Sequence, residues 1–208
     1  MQDPLAPVVH LIDDDSILLE VLSELVASIN VKTVPYRSAR AFLDSYKPAP
    51  CECVVSDIRM PEITGLELQR VVSNSYRVPP PIIFVTGYAD VSAAVEAMKN
   101  GAYDFVEKPV SGAVFLEKIN GALKLSRQLH TQRVDASVRS ARIALLTPKE
   151  REVLQQLVKR QTNREMGETL GLSVRTIENH RAHILAKFRV KDTYELLALF
   201  TQPTPLDI

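Results

Sequence analysis

Residues 8–15 read Val-Val-His-Leu-Ile-Asp-Asp-Asp and residues 53–57 read Cys-Val-Val-Ser-Asp, two short apolar runs that each end in aspartate. A nearly unbroken apolar run of this length predicts a strand covered on both faces, as in a parallel sheet, with carboxylates delivered at its C-terminal end. The pattern returns at Pro81-Ile82-Ile83-Phe84-Val85-Thr86-Gly87 and more briefly over residues 103–108, and residues 32–35 form a further short strand. Helical patterns lie between these runs. They cover residues 16–28, with Leu18, Leu19, Leu22, Leu25 and Val26 on one face, then 38–46, 65–74, and 92–101, where Ala94, Val95 and Met98 recur at helical spacing. Five alternations of strand and helix predict an α/β domain over residues 5–125, built on a doubly wound, five-stranded parallel sheet.

From residue 116 to 146 there is no proline and only one glycine, Gly121, so the fifth helix is expected to run on as a helical linker over 126–146. Residues 147–201 carry only helical periodicity. They open with Thr147-Pro148-Lys149-Glu150, where the threonine caps, the proline suits the first turn and Glu150 completes a capping box. The tail from Gln202, with Pro203 and Pro205, is expected to be disordered.

With 46% apolar and 24% charged residues the composition is that of a globular protein and excludes fibrous and disordered classes. No uncharged apolar run approaches the ~18 residues of a membrane span, and the first residues lack the pattern of a signal peptide, so a cytoplasmic protein is expected. Cys51 and Cys53 are separated by a single residue, which makes a mutual disulfide awkward and a Cys-rich zinc site unavailable. They read as buried thiols in a reducing compartment. The formal charge of zero conceals an asymmetry: 11 Lys and Arg against 16 Asp and Glu up to residue 125, then 14 against 9. A basic C-terminal part suits a polyanion, although ordinary scatter between two domains gives the same count.

Ligands bind open parallel sheets at the carboxyl ends of the strands. Asp13 and Asp14 gather there after the first strand, with the place of Asp15 left open, Asp57 after the third, Thr86 after the fourth and Lys108 after the fifth. Clustered carboxylates repel one another unless a hard cation joins them, and an oxygen site of this type suits Mg²⁺ (or Mn²⁺). A phosphoryl group on Asp57 would add roughly two negative charges, for which Lys108 supplies an ammonium and Thr86 a hydroxyl. Aspartate is a competent acceptor because an acyl phosphate forms in one in-line displacement.

In the C-terminal part, residues 163–170 form a short helix, Gly171-Leu172-Ser173 a turn with Ser173 as N-cap, and residues 174–188 a longer helix, which is helix-turn-helix spacing. Ile177, Ile184 and Phe188 share one face of the longer helix. Arg175, Asn179, Ala182 and Ala186 lie opposite, flanked by Thr176, Glu178 and His183. Such a face is either the solvated side of a core helix or a surface that enters a major groove. Two small alanines among hydrogen-bonding side chains favour the groove, with Lys149 and Lys187 at positions that reach phosphates.

The set Asp13-Asp14, Asp57 with Met60-Pro61 and Gly65, Thr86-Gly87 and Lys108-Pro109 resembles the receiver domain of two-component response regulators. The resemblance implies that Asp57 is phosphorylated, that Asp14, Asp57 and the backbone carbonyl of Arg59 ligate Mg²⁺, and that Asp13 acts partly through water. It implies further that Lys108 pairs with the phosphoryl group and precedes a cis bond to Pro109. Thr86 and Phe105 would be the switch pair, while Arg59 and Tyr88 would tune the lifetime of the phosphorylated state.

Thr147-Pro148-Lys149-Glu150-Arg151-Glu152-Val153-Leu154, Asn163-Arg164-Glu165 and the stretch from Ser173 through Asn179-His180-Arg181 to Lys187-Phe188 resemble the four-helix DNA-binding domain of LuxR-type regulators. Nearly the whole chain is thus similar to FixJ-type response regulators of the NarL/FixJ group. A phosphorylation-switched transcription factor is implied rather than an enzyme. Its partners would be a sensor histidine kinase, double-stranded DNA, RNA polymerase and, once phosphorylated, a second copy docked near Val91, Val95 and Phe105. Arg175, Thr176, Glu178, Asn179, His183 and Lys187 are the expected DNA contacts. Glu178 departs from the lysine of many relatives, and Arg181 falls too near the core edge to be counted among them. An aspartyl-phosphate phosphatase lacks its other motifs here, and no GxGxxG follows the first strand for a dinucleotide enzyme. A relay whose helical part binds a protein instead of DNA is the alternative reading.

Overall fold

The computed structural model describes residues 6–87 and 91–201. Its strands β1 (Val8–Ile12), β2 (Lys32–Tyr36), β3 (Glu52–Asp57), β4 (Ile82–Thr86) and β5 (Asp104–Glu107) form one sheet in the order β2-β1-β3-β4-β5. Every pairing is parallel, with Val8 opposite both Lys32 and Glu52. Helices α1 (Ser16–Ala27), α2 (Ala39–Ser45), α3 (Gly65–Ser75) and α4 (Val91–Lys99) make the connections, and α5 (Gly112–Ala144) follows the last strand. Strand side chains alternate between faces. Val9 and Leu11 pack with Leu19, Leu22, Phe115 and Ile119 of α1 and α5, whereas Ile12 and Val54 pack with Phe42, Leu68 and Val72 of α2 and α3. Both faces of the central strands β1, β3 and β4 are covered, which is why these three read as nearly continuous apolar runs.

His10 is the polar member of the first run, and it is buried against a partner. Its Nε2 lies 3.2 Å from Oε2 of the equally buried Glu52, whose Oε1 accepts from the Tyr46 hydroxyl at 2.9 Å. The rings of Tyr36, Phe42 and Tyr46 surround it, so the pair meets the requirement that interior polar groups be hydrogen-bonded. Cys51 and Cys53 are buried free thiols, as the sequence suggests.

The C-terminal helices are α6 (Pro148–Val158), α7 (Asn163–Leu170), α8 (Val174–Phe188) and α9 (Thr193–Thr201). Their core collects Val153, Leu154, Leu157, Met166, Ile177, Ile184, Phe188 and Leu196. Thr147 with Glu150 and Thr162 with Glu165 form capping boxes that start α6 and α7. Gly171, at φ 66°, ends α7 in the left-handed conformation that glycine adopts without strain, and so makes the turn into α8.

Residues 1–130 and 131–208 form two compact units. The segment 126–146, expected as a linker, is docked at each end. Ser126 is buried and its Oγ accepts from the Glu52 backbone N–H at 2.9 Å, while Arg139 donates to the Leu199 carbonyl at 2.5 Å and Arg142 to that of Phe188 at 2.7 Å. The tail from Gln202 lies outside the described residues. Ser126→Ala leaves the Glu52 N–H without a partner, and a buried orphan donor costs about 1–3 kcal/mol. Urea unfolding should register that loss in the first unit, and an unchanged midpoint would show that the hydroxyl bears no such load.

Candidate functional site

In this strand order the connection from β1 runs to one side and that from β3 to the other, so the C-terminal ends of β1 and β3 face a common crevice. Carboxylate oxygens of Asp13, Asp14 and Asp57 lie within 4.8 Å of one another there. Asp13 is buried, Asp57 partly buried and Asp14 exposed. Lys108, just after β5, donates from Nζ to Asp57 Oδ2 at 2.7 Å and to Asp13 Oδ2 at 3.2 Å, and its peptide bond to Pro109 is cis. The backbone N–H of Arg59 donates to Asp57 Oδ1 at 3.2 Å. Burial pushes the Asp13 carboxyl above its ordinary range, against the pull of the Asp15 N–H and Lys108, and the charge of Asp57 adds to the rise. Partial burial draws Lys108 down, but the two carboxylates outweigh it and hold the ammonium above its usual value. One ammonium thus bridges two of the three clustered carboxyl groups, and the oxygen-rich remainder suits a hard divalent cation.

Asp15 has a different task. Its Oδ1 accepts from the N–H groups of Ile17 and Leu18, so the third aspartate caps α1 and stands outside the cluster. The signal was available, because Asp immediately before a helical pattern is an N-cap signature. Gly65 also acquires a physical role. A Cβ at this position would lie 2.2 Å from the Asp57 carbonyl oxygen, so only glycine lets α3 begin directly beneath the end of β3.

Thr86 is buried with its hydroxyl donating to the Gly87 carbonyl at 3.2 Å, and Phe105, on the neighbouring strand, is 41% exposed. Val95 is exposed on α4. Tyr88 lies outside the described residues, as does the side chain of Val91.

On α8, Ile177, Ile184 and Phe188 are fully buried, and Arg175, Glu178, Asn179, Ala182, His183 and Ala186 are exposed. Thr176 is partly committed to the cap, its Oγ1 lying 2.8 Å from Ser173 Oγ. Arg181 binds Asn163 and Thr193, which ties α8 to α7 and α9. Asn163 also approaches Glu178 Oε1 at 3.5 Å. Lys149 pairs with Glu152 on the surface at 2.8 Å.

Residues 9–120 match the response regulator receiver domain family, and residues 144–200 match the luxR family of bacterial regulatory proteins. The chain is a LuxR-type response regulator. It is 39% identical over 201 residues to the transcriptional regulatory protein FixJ of Azorhizobium caulinodans, covering 96% of this chain and 95% of that one. Among solved structures it is similar to the response regulator StyR, at 30% identity and a TM-score of 0.80 over 94% of this chain and 98% of that one. It is also similar to full-length FixJ from B. japonicum, at 34% identity and a TM-score of 0.57 over 92% and 94%. As a member of this family the response regulator is a phosphorylation-dependent transcriptional regulator. No helix among its described residues is long and apolar enough to cross a membrane.

The response regulator has one further polar centre that sequence reasoning left as a simple cap. Glu150 is buried, accepts from the Thr147 N–H at 2.7 Å, and receives Lys187 Nζ at 2.6 Å. No local signal joins residues 37 positions apart. Burial pushes the Glu150 carboxyl up, but the bonds from Lys187 and Thr147 prevail and hold it below its ordinary value of 4.5. A carboxyl depressed by folding contributes stability that is complete above that value and is lost as pH falls through the lower, folded one. Thermal melts of the second unit should therefore weaken on acidification below about pH 4.5, and Glu150→Gln should flatten that segment of the curve. A Gln variant with the same acid slope as wild type would remove Glu150 from the account.

Proposed function

We propose that Asp57 is the phosphoryl acceptor, that Lys108 stabilises the transferred group, and that Thr86 and Phe105 report its arrival. The observation that carries this reading is the single ammonium bridging Asp13 and Asp57 in a three-carboxylate cluster. An Asp57 oxygen attacks phosphorus in line as the P–N bond to a donor histidine breaks, and the donor imidazole departs with the electron pair. Lys108 exchanges part of its hold on the carboxylates for a phosphoryl oxygen. Asp13, Asp14, Asp57 and the Arg59 carbonyl would hold Mg²⁺ (or Mn²⁺), which neutralises charge on the phosphoryl oxygens when bound. Asp13 stays near its partners with its backbone-fixed oxygen toward Asp15.

Phosphorylation then draws the Thr86 hydroxyl from Gly87 toward the new group, and Phe105 leaves its exposed position for the space behind it. The partners are a sensor histidine kinase as donor, a second copy of the chain on the face carrying Val95 and Phe105, double-stranded DNA, and RNA polymerase at the promoter. Two buried free thiols fit work in the reducing cytoplasm. In the second unit, α8 enters the major groove with Arg175, Asn179 and His183 toward base edges and Thr176 at the entry, and Glu178 accepts from a cytosine amino group.

Acetyl phosphate with Mg²⁺ should add one phosphoryl group to the wild-type chain by mass spectrometry and none to Asp57→Asn. Undiminished labelling of the Asn variant would refute the acceptor assignment. Random-sequence selection tests Glu178. Glu178→Lys should change the preferred base at one position, worth about 1–3 kcal/mol, whereas uniformly tighter binding to an unchanged operator would mean that the residue contributes charge alone.

A further inference from the structure

Lys187 lies on the last turn of α8, where the sequence alone sends it to a DNA phosphate. Its surroundings point elsewhere. The ammonium is 2.6 Å from Glu150 Oε2, and the Glu150 side chain is only 4% exposed. That oxygen also accepts from the Thr147 N–H in the capping box, so the carboxylate is fixed by the start of α6 and does not follow Lys187 outward. The other oxygen, Oε1, lies 3.8 Å from Nδ1 of His183, one turn earlier on α8. A buried carboxylate stripped of its cation is costly, and this favours keeping the pair intact when DNA arrives. Phosphate contacts by lysine in turn release counterions and set the salt dependence of binding.

We propose that Glu150 is a positioning residue for DNA recognition, which withholds the Lys187 ammonium from the phosphate backbone and pins the C-terminal half of α8 beside His183. This rests on the reading of α8 as the DNA-reading helix. The capping box and the groove-facing helix are then one device. Glu150 starts α6, spends the charge of Lys187 inside the unit, and leaves the exposed residues of α8 to contact the bases.

The test is the slope of log affinity against log salt for the full-length chain, phosphorylated with acetyl phosphate at fixed Mg²⁺, on a duplex selected by the wild type and on a random duplex. Lys187→Met should leave the slope unaltered, because the charge it removes does not reach DNA. Glu150→Gln should steepen it by about one, because the freed ammonium gains a phosphate. The double variant should return to the wild-type slope. Any other pattern overturns the proposal, a slope reduced by about one in Lys187→Met most directly. Should Glu150→Gln fail to fold by circular dichroism, Lys187→Met decides alone on the same criterion. Absence of wild-type binding to every duplex overturns the reading of α8 together with this one, whereas binding with the wrong slopes overturns only the role of Glu150.

Discussion

Three carboxylates are gathered within 4.8 Å of one another by a strand order that brings the ends of β1 and β3 side by side. Two unit charges at that spacing repel by roughly 3–4 kcal/mol at the effective dielectric of a protein surface. The sheet imposes this repulsion because its core is dry on both sides and fixes the register of β1 against β3. Lys108 relieves part of it from the end of β5, and Gly65 lets α3 begin against the Asp57 backbone. The unrelieved remainder is the physical basis for the proposal that the crevice takes a divalent cation and then a phosphoryl group.

The second unit depends on the same principle with a different outcome. Glu150 is also a carboxylate forced into a confined place, but it meets its cation within the unit and hydrogen bonds from its own cap. Its charge is therefore settled by folding, whereas the charge of the first cluster is left open for a ligand. Segment 126–146 belongs to the architecture of both units, through Ser126 on β3 and through Arg139 and Arg142 on the C-terminal helices.

Much of this was legible in the sequence because strand ends and helix faces are local signals. Apolar runs marked β1, β3 and β4, two of them closing in aspartate, and 3.6-residue periodicity separated Ile177, Ile184 and Phe188 from Arg175 and Asn179. What escaped was pairing over distance. His10 read as one more member of an apolar run, yet it is buried through Glu52, 42 residues away. Lys187 reads from the sequence as a phosphate contact, and its bond to Glu150 could not be seen there, because nothing in the spacing of either residue announces the other. The run alone leaves the role of Asp15 open, because three consecutive aspartates look alike until a helix claims one of them.

The central claim is that charge placed in the β1–β3 crevice governs what α8 does on DNA, and only a difference in affinity between two states of the chain can transmit it. The most direct measurement is the dissociation constant of the full-length chain for one selected duplex, at fixed salt and Mg²⁺, before and after stoichiometric phosphoryl transfer. Tighter binding by at least about tenfold, roughly 1.4 kcal/mol, is the result expected. Equal affinity in the two states, with phosphorylation verified in the same sample, would contradict it.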